Sequence, residues 1–438
     1  MYFAKYLRQV LQITAVIMIV LGLAACAAPP APGGAPQSAA QAGDTGAEAM
    51  PGKEPVTIRF ASFQSGDVVK KWEEQFAEFE AKTGIKVVHE YIPWDETVTK
   101  YLTLAAANDL PDVAMVSAQW HRALATHNVL APLNQEEFTG LDFGDFWPKL
   151  LAAYNYDGTQ YGLPTDLDLQ LVYYNKKLFD DAGIPYPKPG WTWDEYRETA
   201  KALTKGEGSG KVYGANAPSY GQLQQIAWSY GGDFLDPATG KPAWDSVPVQ
   251  KTMALYNGLL MEDKSAPLPG SEGVSIANGR IAMDIMGPWG AWYVMKDADF
   301  DWGVVPVPVG DKEAVLAWGS TLAMFNSSKN KEAVAKFMEF FEAPEQQFQR
   351  ASDWAWFPPG KAATAMDGFM DPSVLKLDKE QKQFVIDSTA YGRAPFVHEQ
   401  EARLQDIFKE QMSLVTSGSI TMDQALVAIQ AAWEEVLK

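Results

Sequence analysis

The sequence predicts an α/β protein of two lobes built on doubly wound, mostly parallel sheets, and two observations carry that class. From residue 56 onward, short apolar strands alternate with segments of helical period, an order that winds helices onto both faces of a sheet. The chain of 438 residues also exceeds one ordinary domain, which makes two lobes the default. In such sheets ligands sit outside the carboxyl ends of the strands, so residues just after strands are the first candidates for a site.

The N-terminus stands apart from this pattern. Lys5 and Arg8 precede an apolar stretch over 10–25 that is short for a membrane span and is interrupted by Gln12 and Thr14, a secretory signal pattern. It ends in Leu23-Ala24-Ala25-Cys26, which resembles the lipobox of bacterial lipoproteins. That resemblance implies cleavage after residue 25 and lipid attachment at Cys26, the one cysteine of the chain. The mature protein would then have no disulfide, no cysteine-ligated zinc and no cysteine nucleophile. Two or more acyl chains at one residue would anchor it stably. Residues 26–55 are rich in Ala, Pro, Gly and Ser and form an expected disordered tether, with a reach of roughly 30 Å by flexible-chain scaling.

The elements follow in order. Residues 56–63 alternate as a strand, Gln64-Ser65-Gly66 breaks it, and Trp72, Phe76 and Phe79 recur at helical spacing until Gly84. A strand over 85–92 leads to Pro93-Trp94-Asp95, a helix start, and 113–116 is a buried strand running into Ser117 and Trp120. Over 163–175 strict alternation places Leu167, Leu169 and Leu171 on one face and Asp166, Asp168 and Gln170 on the other. The acidic row is either a solvated strand face or a row of acceptors facing a cleft, suited to the hydroxyls of a polyol.

A short helix over 176–182 closes at Gly183, and Thr192-Trp193-Asp194-Glu195 is a capping box. Helices are expected over 220–230, which contains Trp228, and over 249–261. At 278–294 an alternating run with Ile281, Met283 and Ile285 meets Gly287-Pro288 and an aromatic cluster, read as strand, turn and helix start. Trp289 and Trp292, three apart, would share a face there, either in the core or at the lip of a sheet. Residues 302–309 form an apolar strand whose Pro306 and Pro308 suit an edge. After Trp318-Gly319-Ser320 come a strand to Phe325, a helix from Lys331 stopped by Pro344, a segment with Trp354 and Trp356 beside two prolines, and helices over 381–391, 401–415 and 422–437.

Composition narrows the function. A net charge of −19 without Lys/Arg clusters argues against nucleic acid and anionic membrane surfaces as partners and favours a soluble monomer. The 4 histidines show no metal-ligand spacing, and there is neither a nucleophile elbow nor a phosphate-cradling loop, so no metal or cofactor is expected. Asp166 and Asp168 could serve a glycosidase, yet residues two apart on one strand face lie roughly 6–7 Å apart and point the same way, whereas glycosidase carboxylates flank the bond. The aromatic load of 12%, with 15 Trp, supplies flat apolar faces for stacking.

Several segments in their order carry a resemblance. They are 72–87, ending Lys-Thr-Gly-Ile-Lys-Val; Leu110-Pro111-Asp112-Val113; Tyr173-Tyr174-Asn175-Lys176-Lys177-Leu178-Phe179; Trp191-Thr192-Trp193-Asp194-Glu195-Tyr196; Gly279-Arg280-Ile281-Ala282-Met283 to Gly287-Pro288-Trp289; and 326–333. Over 56–438 the chain resembles family 1 of the extracellular solute-binding proteins of ABC importers, the carbohydrate-binding group. The resemblance implies a type II periplasmic-binding-protein fold, two lobes joined by crossing strands near Tyr173, Ser320 and Trp354, with the ligand enclosed between them. It implies lobes of 56–172 with 321–353 and of 173–320 with 354–438. Trp289 inherits a sugar-stacking role, and Trp318 with Gly319 falls in a second ligand loop. The candidate ligand contacts are Gln64, Ser65, Trp94, Ser117, Trp120, Thr165, Asp166, Asp168, Trp228, Gly287, Trp289, Trp292, Trp318, Gly319 and Trp356. The implied function is a non-enzymatic, lipid-anchored, extracytoplasmic receptor that delivers a sugar to a membrane permease. A quaternary ammonium compound or polyol phosphate in the same fold, and a secreted polysaccharide-active enzyme, are the alternatives.

Overall fold

A computed structural model describes residues 56–438 except 396, 397 and 399; the expected signal segment, Cys26 and the tether lie outside the described residues. Among the described residues no helix is long and apolar enough to cross a membrane.

The first sheet has the order β2-β1-β3-β12-β6, with β1 (Thr57–Ser62), β2 (Lys86–Tyr91), β3 (Val113–Ser117), β6 (Leu163–Pro164) and β12 (Ser320–Met324). β1 pairs parallel with β2 and β3, while β12 runs antiparallel to both β3 and β6. Both faces are covered, as the apolar strands require. On one side the helix Asp67–Thr83 presents Trp72, Phe76 and Phe79 to Phe60 and to Phe337 of the helix Lys331–Phe341, with Phe60 and Phe337 ring centres 5.4 Å apart. Gly84 ends the first of these helices in the left-handed region at φ 71°, its N–H bonding back to Glu80 O at 2.7 Å. On the other side Tyr101 packs on Phe325 at 5.0 Å. The strand order reverses direction beside β1, the switch point at which a doubly wound sheet opens a crevice.

Two smaller sheets complete the body besides the short hairpin of β4 (Asn155–Tyr156) and β5 (Thr159–Gln160). One has the order β10-β8-β9, antiparallel, from β8 (Leu171–Asn175), β9 (Met283–Met286) and β10 (Trp302–Pro306). The other has the order β13-β11-β7, from β7 (Asp168–Leu169), β11 (Val315–Trp318) and β13 (Gly392–Arg393). Among the strands described, β1 with its two neighbours and β11 with β13 pair parallel and the other pairs run antiparallel, so the sheets are not mostly parallel as expected, because the crossing segments return through them in the opposite sense. A large core covers the smaller sheets, where Trp244 stacks on Phe234 at 4.4 Å and meets Trp433 edge-on at 5.1 Å. The capping box at Thr192 opens the helix Trp193–Leu203 as expected.

Further expectations are corrected. Residues 163–175 are not one strand but three, β6, β7 and β8, each in a different sheet, because here the chain crosses from the first sheet to the others. Neither face of the run is solvated, since every residue of it except Asp166 is buried. Pro344 does not simply stop a helix; it is the first residue of the next, Pro344–Trp354, where its missing N–H costs nothing. Trp289 and Trp292 do not present two indoles together, because the helix Gly290–Tyr293 is a single turn and Trp292 instead meets Trp354 edge-on at 5.6 Å under the ammonium groups of Lys296 and Lys376.

Candidate functional site

The carboxyl ends of β1, β2 and β3 and the start of β12 open on one cavity of about 490 Å³. Phe63 and Gln64 follow β1, Trp94 follows β2, and Ser117 ends β3 beside Ser320, its register partner at the start of β12. From the other side come Asp166 and Asp168 of the crossing segment, Trp289 and Tyr293 after β9, Trp318 and Gly319 at the end of β11, and Trp356. Gly319 alone separates β11 from β12, so the chain changes sheets within one residue. The crossing segments are bonded side by side, Thr165 N–H to Ser320 O at 2.9 Å and Leu167 N–H to Phe357 O at 2.8 Å. Ala355, at φ 56°, ends the helix Pro344–Trp354 in the left-handed region and turns the chain so that Trp356 reaches the cavity.

Asp168 organises the aromatic wall. It lies opposite Trp318 in the β7–β11 pairing, and its Oδ2 accepts the indole N–H of Trp318 at 2.9 Å and that of Trp289 at 3.0 Å. Its Oδ1 accepts Gln170 Nε2 at 3.0 Å. Asp166 Oδ1 accepts Ser320 N–H at 2.7 Å and the Thr165 hydroxyl at 3.1 Å, and its half-buried carboxylate also reaches the cavity. Burial pushes Asp166 up to about 7 against the pull of the Ser320 N–H, and pushes Asp168 up to about 6 against its three N–H donors. Tyr293 O–H donates to Gln64 Oε1 at 3.1 Å, tying the turn after β9 to the loop after β1. Trp94, 43% exposed, extends the aromatic surface outward, with Phe63 edge-on at 4.7 Å and Trp120 tilted against it at 4.4 Å.

The structure therefore gathers Gln64, Trp94, Ser117, Asp166, Asp168, Trp289, Trp318, Gly319 and Trp356 around one cavity. Gly287 stands directly behind it, since a Cβ there would fall 1.7 Å from Asp168 Oδ1. Other candidates lie elsewhere. Ser65 is exposed on the bend after β1, Thr165 is buried beneath Asp166, Trp120 backs Trp94, and Trp292 packs on Trp354. Trp228 is only 1% exposed on the inner face of the helix Tyr220–Ser229, covered by the Arg393 guanidinium at 4.6 Å and packed with Ala314 and Leu316, so no ligand reaches it in this structure. Phe63, Tyr293 and Ser320 were not among the expected contacts; each adjoins a residue or motif that was.

Fold and cavity together define a two-lobed α/β ligand-binding protein. The chain belongs to the bacterial extracellular solute-binding protein family, whose model matches residues 65–348. A binding protein of Brucella abortus is 28% identical over 320 residues, 69% of this chain and 76% of its own length. The maltotriose-binding protein of Pyrococcus abyssi is 27% identical over 290 residues, 63% of this chain and 60% of that protein. An ABC substrate-binding protein from Listeria monocytogenes, solved in complex with cycloalternan, is similar with a TM-score of 0.78 at 25% identity, covering 88% of this chain and 99% of that one.

Proposed function

We propose that the chain is the receptor of an ABC importer that encloses a neutral sugar or oligosaccharide in this cavity, releases it unchanged and hands it to a membrane permease. The observation that carries the reading is an acidic residue of intermediate exposure, Asp166, lining the cavity with the indoles of Trp94, Trp289, Trp318 and Trp356. Indole faces cover the apolar faces of pyranose rings at low entropic cost, and a carboxylate accepts from neighbouring hydroxyls. Among the described residues no lysine, arginine or histidine lines the cavity, so an anionic ligand such as a uronate or a polyol phosphate would meet acidic groups with no counter-charge there. The relatives named for maltotriose and cycloalternan support the same class. In this reading the lobes are those expected above except that the first crossing falls at 165–167 and not near Tyr173, which lies inside β8, and they close about the crossing segments as the ligand favours the closed form.

Calorimetry of the full chain in detergent tests it, with neutral mono-, di- and trisaccharides, a uronic acid, a sugar phosphate and a quaternary ammonium compound as ligands. Saturable heat is expected from a neutral sugar alone, with affinity falling at least about 30-fold in Trp289→Ala, about 2 kcal/mol. Heat from the ammonium compound alone would transfer the site to cation–π recognition. Anchoring rests on Leu23-Ala24-Ala25-Cys26. Cells expressing Cys26→Ser should lose labelled palmitate from the protein and release it from the membrane fraction, and a membrane-bound variant would remove the anchor from this proposal.

A further inference from the structure

The indoles of Trp289 and Trp318 end a chain of hydrogen bonds that has only one direction. It begins at the N-terminus of the helix Tyr220–Ser229, where Ser219 N–H donates to Gln222 Oε1 at 2.7 Å. Gln222 Nε2 donates to Ile285 O at 2.8 Å and to Gln170 Oε1 at 3.2 Å. Gln170 Nε2 then donates to Asp168 Oδ1 at 3.0 Å, and Asp168 Oδ2 accepts both indoles. A backbone N–H on one side of Gln222 and a backbone carbonyl on the other leave its amide a single orientation. Gln170 inherits that orientation, so its amide nitrogen is the group turned to Asp168.

We propose that Gln170 and Gln222 are positioning residues of the ligand cavity, which through Asp168 hold the ring planes of Trp289 and Trp318 in place before a ligand arrives. Neither glutamine lines the cavity, and both act through Asp168. The proposal rests on the reading of this cavity as the ligand site. Holding two stacking surfaces in advance removes an ordering cost from binding. The titratable groups facing Asp168 are Asp166, Tyr154 and Tyr173, with no basic side chain among them, so the N–H donors are what favour its ionised form. When Asp168 takes up a proton, as pH falls through about 6, the shared acceptor of both indoles is weakened.

The test follows the indole N–H resonances of Trp289 and Trp318 against pH in the unliganded full chain carrying 15N-tryptophan, assigned by their loss in Trp289→Phe and Trp318→Phe. Both should move with one common midpoint, and Asp168→Asn should abolish the transition. Gln222→Glu keeps the acceptor for Ser219 N–H, hence the helix cap, but cannot donate to Gln170. It should raise the common midpoint by roughly half a pH unit or more and weaken sugar binding roughly three- to tenfold. Gln170→Leu should do the same by removing the donor itself. A role in stability alone would lower the melting temperature and leave the midpoint in place, which would overturn the proposal, as would two separate midpoints. If no sugar binds while the resonances still respond together to both variants, the positioning chain holds and the sugar reading fails. If a sugar binds and neither variant alters midpoint or affinity, the sugar reading stands and the chain has no such role.

Discussion

Gly287→Ala is expected to raise the dissociation constant for the ligand by at least about 100-fold, near 2.8 kcal/mol, while the protein stays folded. The cause is steric. A Cβ on residue 287 would stand 1.7 Å from Asp168 Oδ1 and 2.6 Å from Trp289 Nε1, so it would force apart the carboxylate and the indole that donates to its Oδ2. Asp168 cannot move aside without releasing Trp318 and Gln170, to which it is also bonded. Bonds to a charged acceptor contribute about 1.5–3 kcal/mol each, and the two indoles would lose their common anchor. The cost to folding is that of local overpacking, about 1–3 kcal/mol. Gly290→Ala in the same turn is the control, because the atoms nearest its Cβ would be those of the Met286 side chain at 3.2–3.3 Å and not those of Asp168 or Trp289, and it should change affinity no more than a few-fold. Calorimetry on both variants decides the matter: equal affinity for Gly287→Ala and wild type would mean that Asp168 does not hold the indoles where the ligand needs them.

The same site shows what a sequence discloses. Gln64, Trp94 and Ser117 were legible because strand ends of a doubly wound sheet fall on one edge, so order along the chain fixes place in space. Asp166 and Asp168 stood out as acids in an apolar run. That the run is three strands and not one is hidden, since alternation describes local side-chain direction and cannot tell when the pairing partner changes. Trp228 lies outside the site for a reason that helical period does not carry, since period reveals which residues share a face, not what covers it, and the cover is Arg393 from far along the chain. The double indole bond to Asp168 has no local signal either, since Trp289 reaches it from the turn after β9 and Trp318 from the end of β11.

The pair least visible in sequence carries the second large effect. Glu342 and Arg350 are 0% and 1% exposed at their side chains and joined at 2.8 Å. Arg350 also lies 4.3 Å over the Phe341 ring and reaches the Thr165 carbonyl at 3.5 Å, beneath the crossing segment that carries Asp166. Its positive charge opposes the upward shift of Asp166. Arg350→Met keeps the length and apolar bulk but strands the Glu342 carboxyl without its counter-charge, and is expected to cost about 3–5 kcal/mol in urea unfolding. Adding Glu342→Gln should return more than half of that loss, because a neutral amide needs no counter-charge. The pH dependence has a definite sign. Burial raises the Glu342 carboxyl and the Arg350 guanidinium opposes that rise, so without Arg350 the folded chain keeps a proton that the unfolded chain releases, and stability is lost as pH rises across that window. Loss of Arg350 lifts the carboxyl further, so the Arg350→Met penalty should be larger at pH about 8 than at about 5 and should lose that slope in the double variant. An Arg350→Met protein as stable as wild type at both pH values, or a double variant no better than the single, would mean that the buried pair carries no charge-dependent part of the support beneath Asp166.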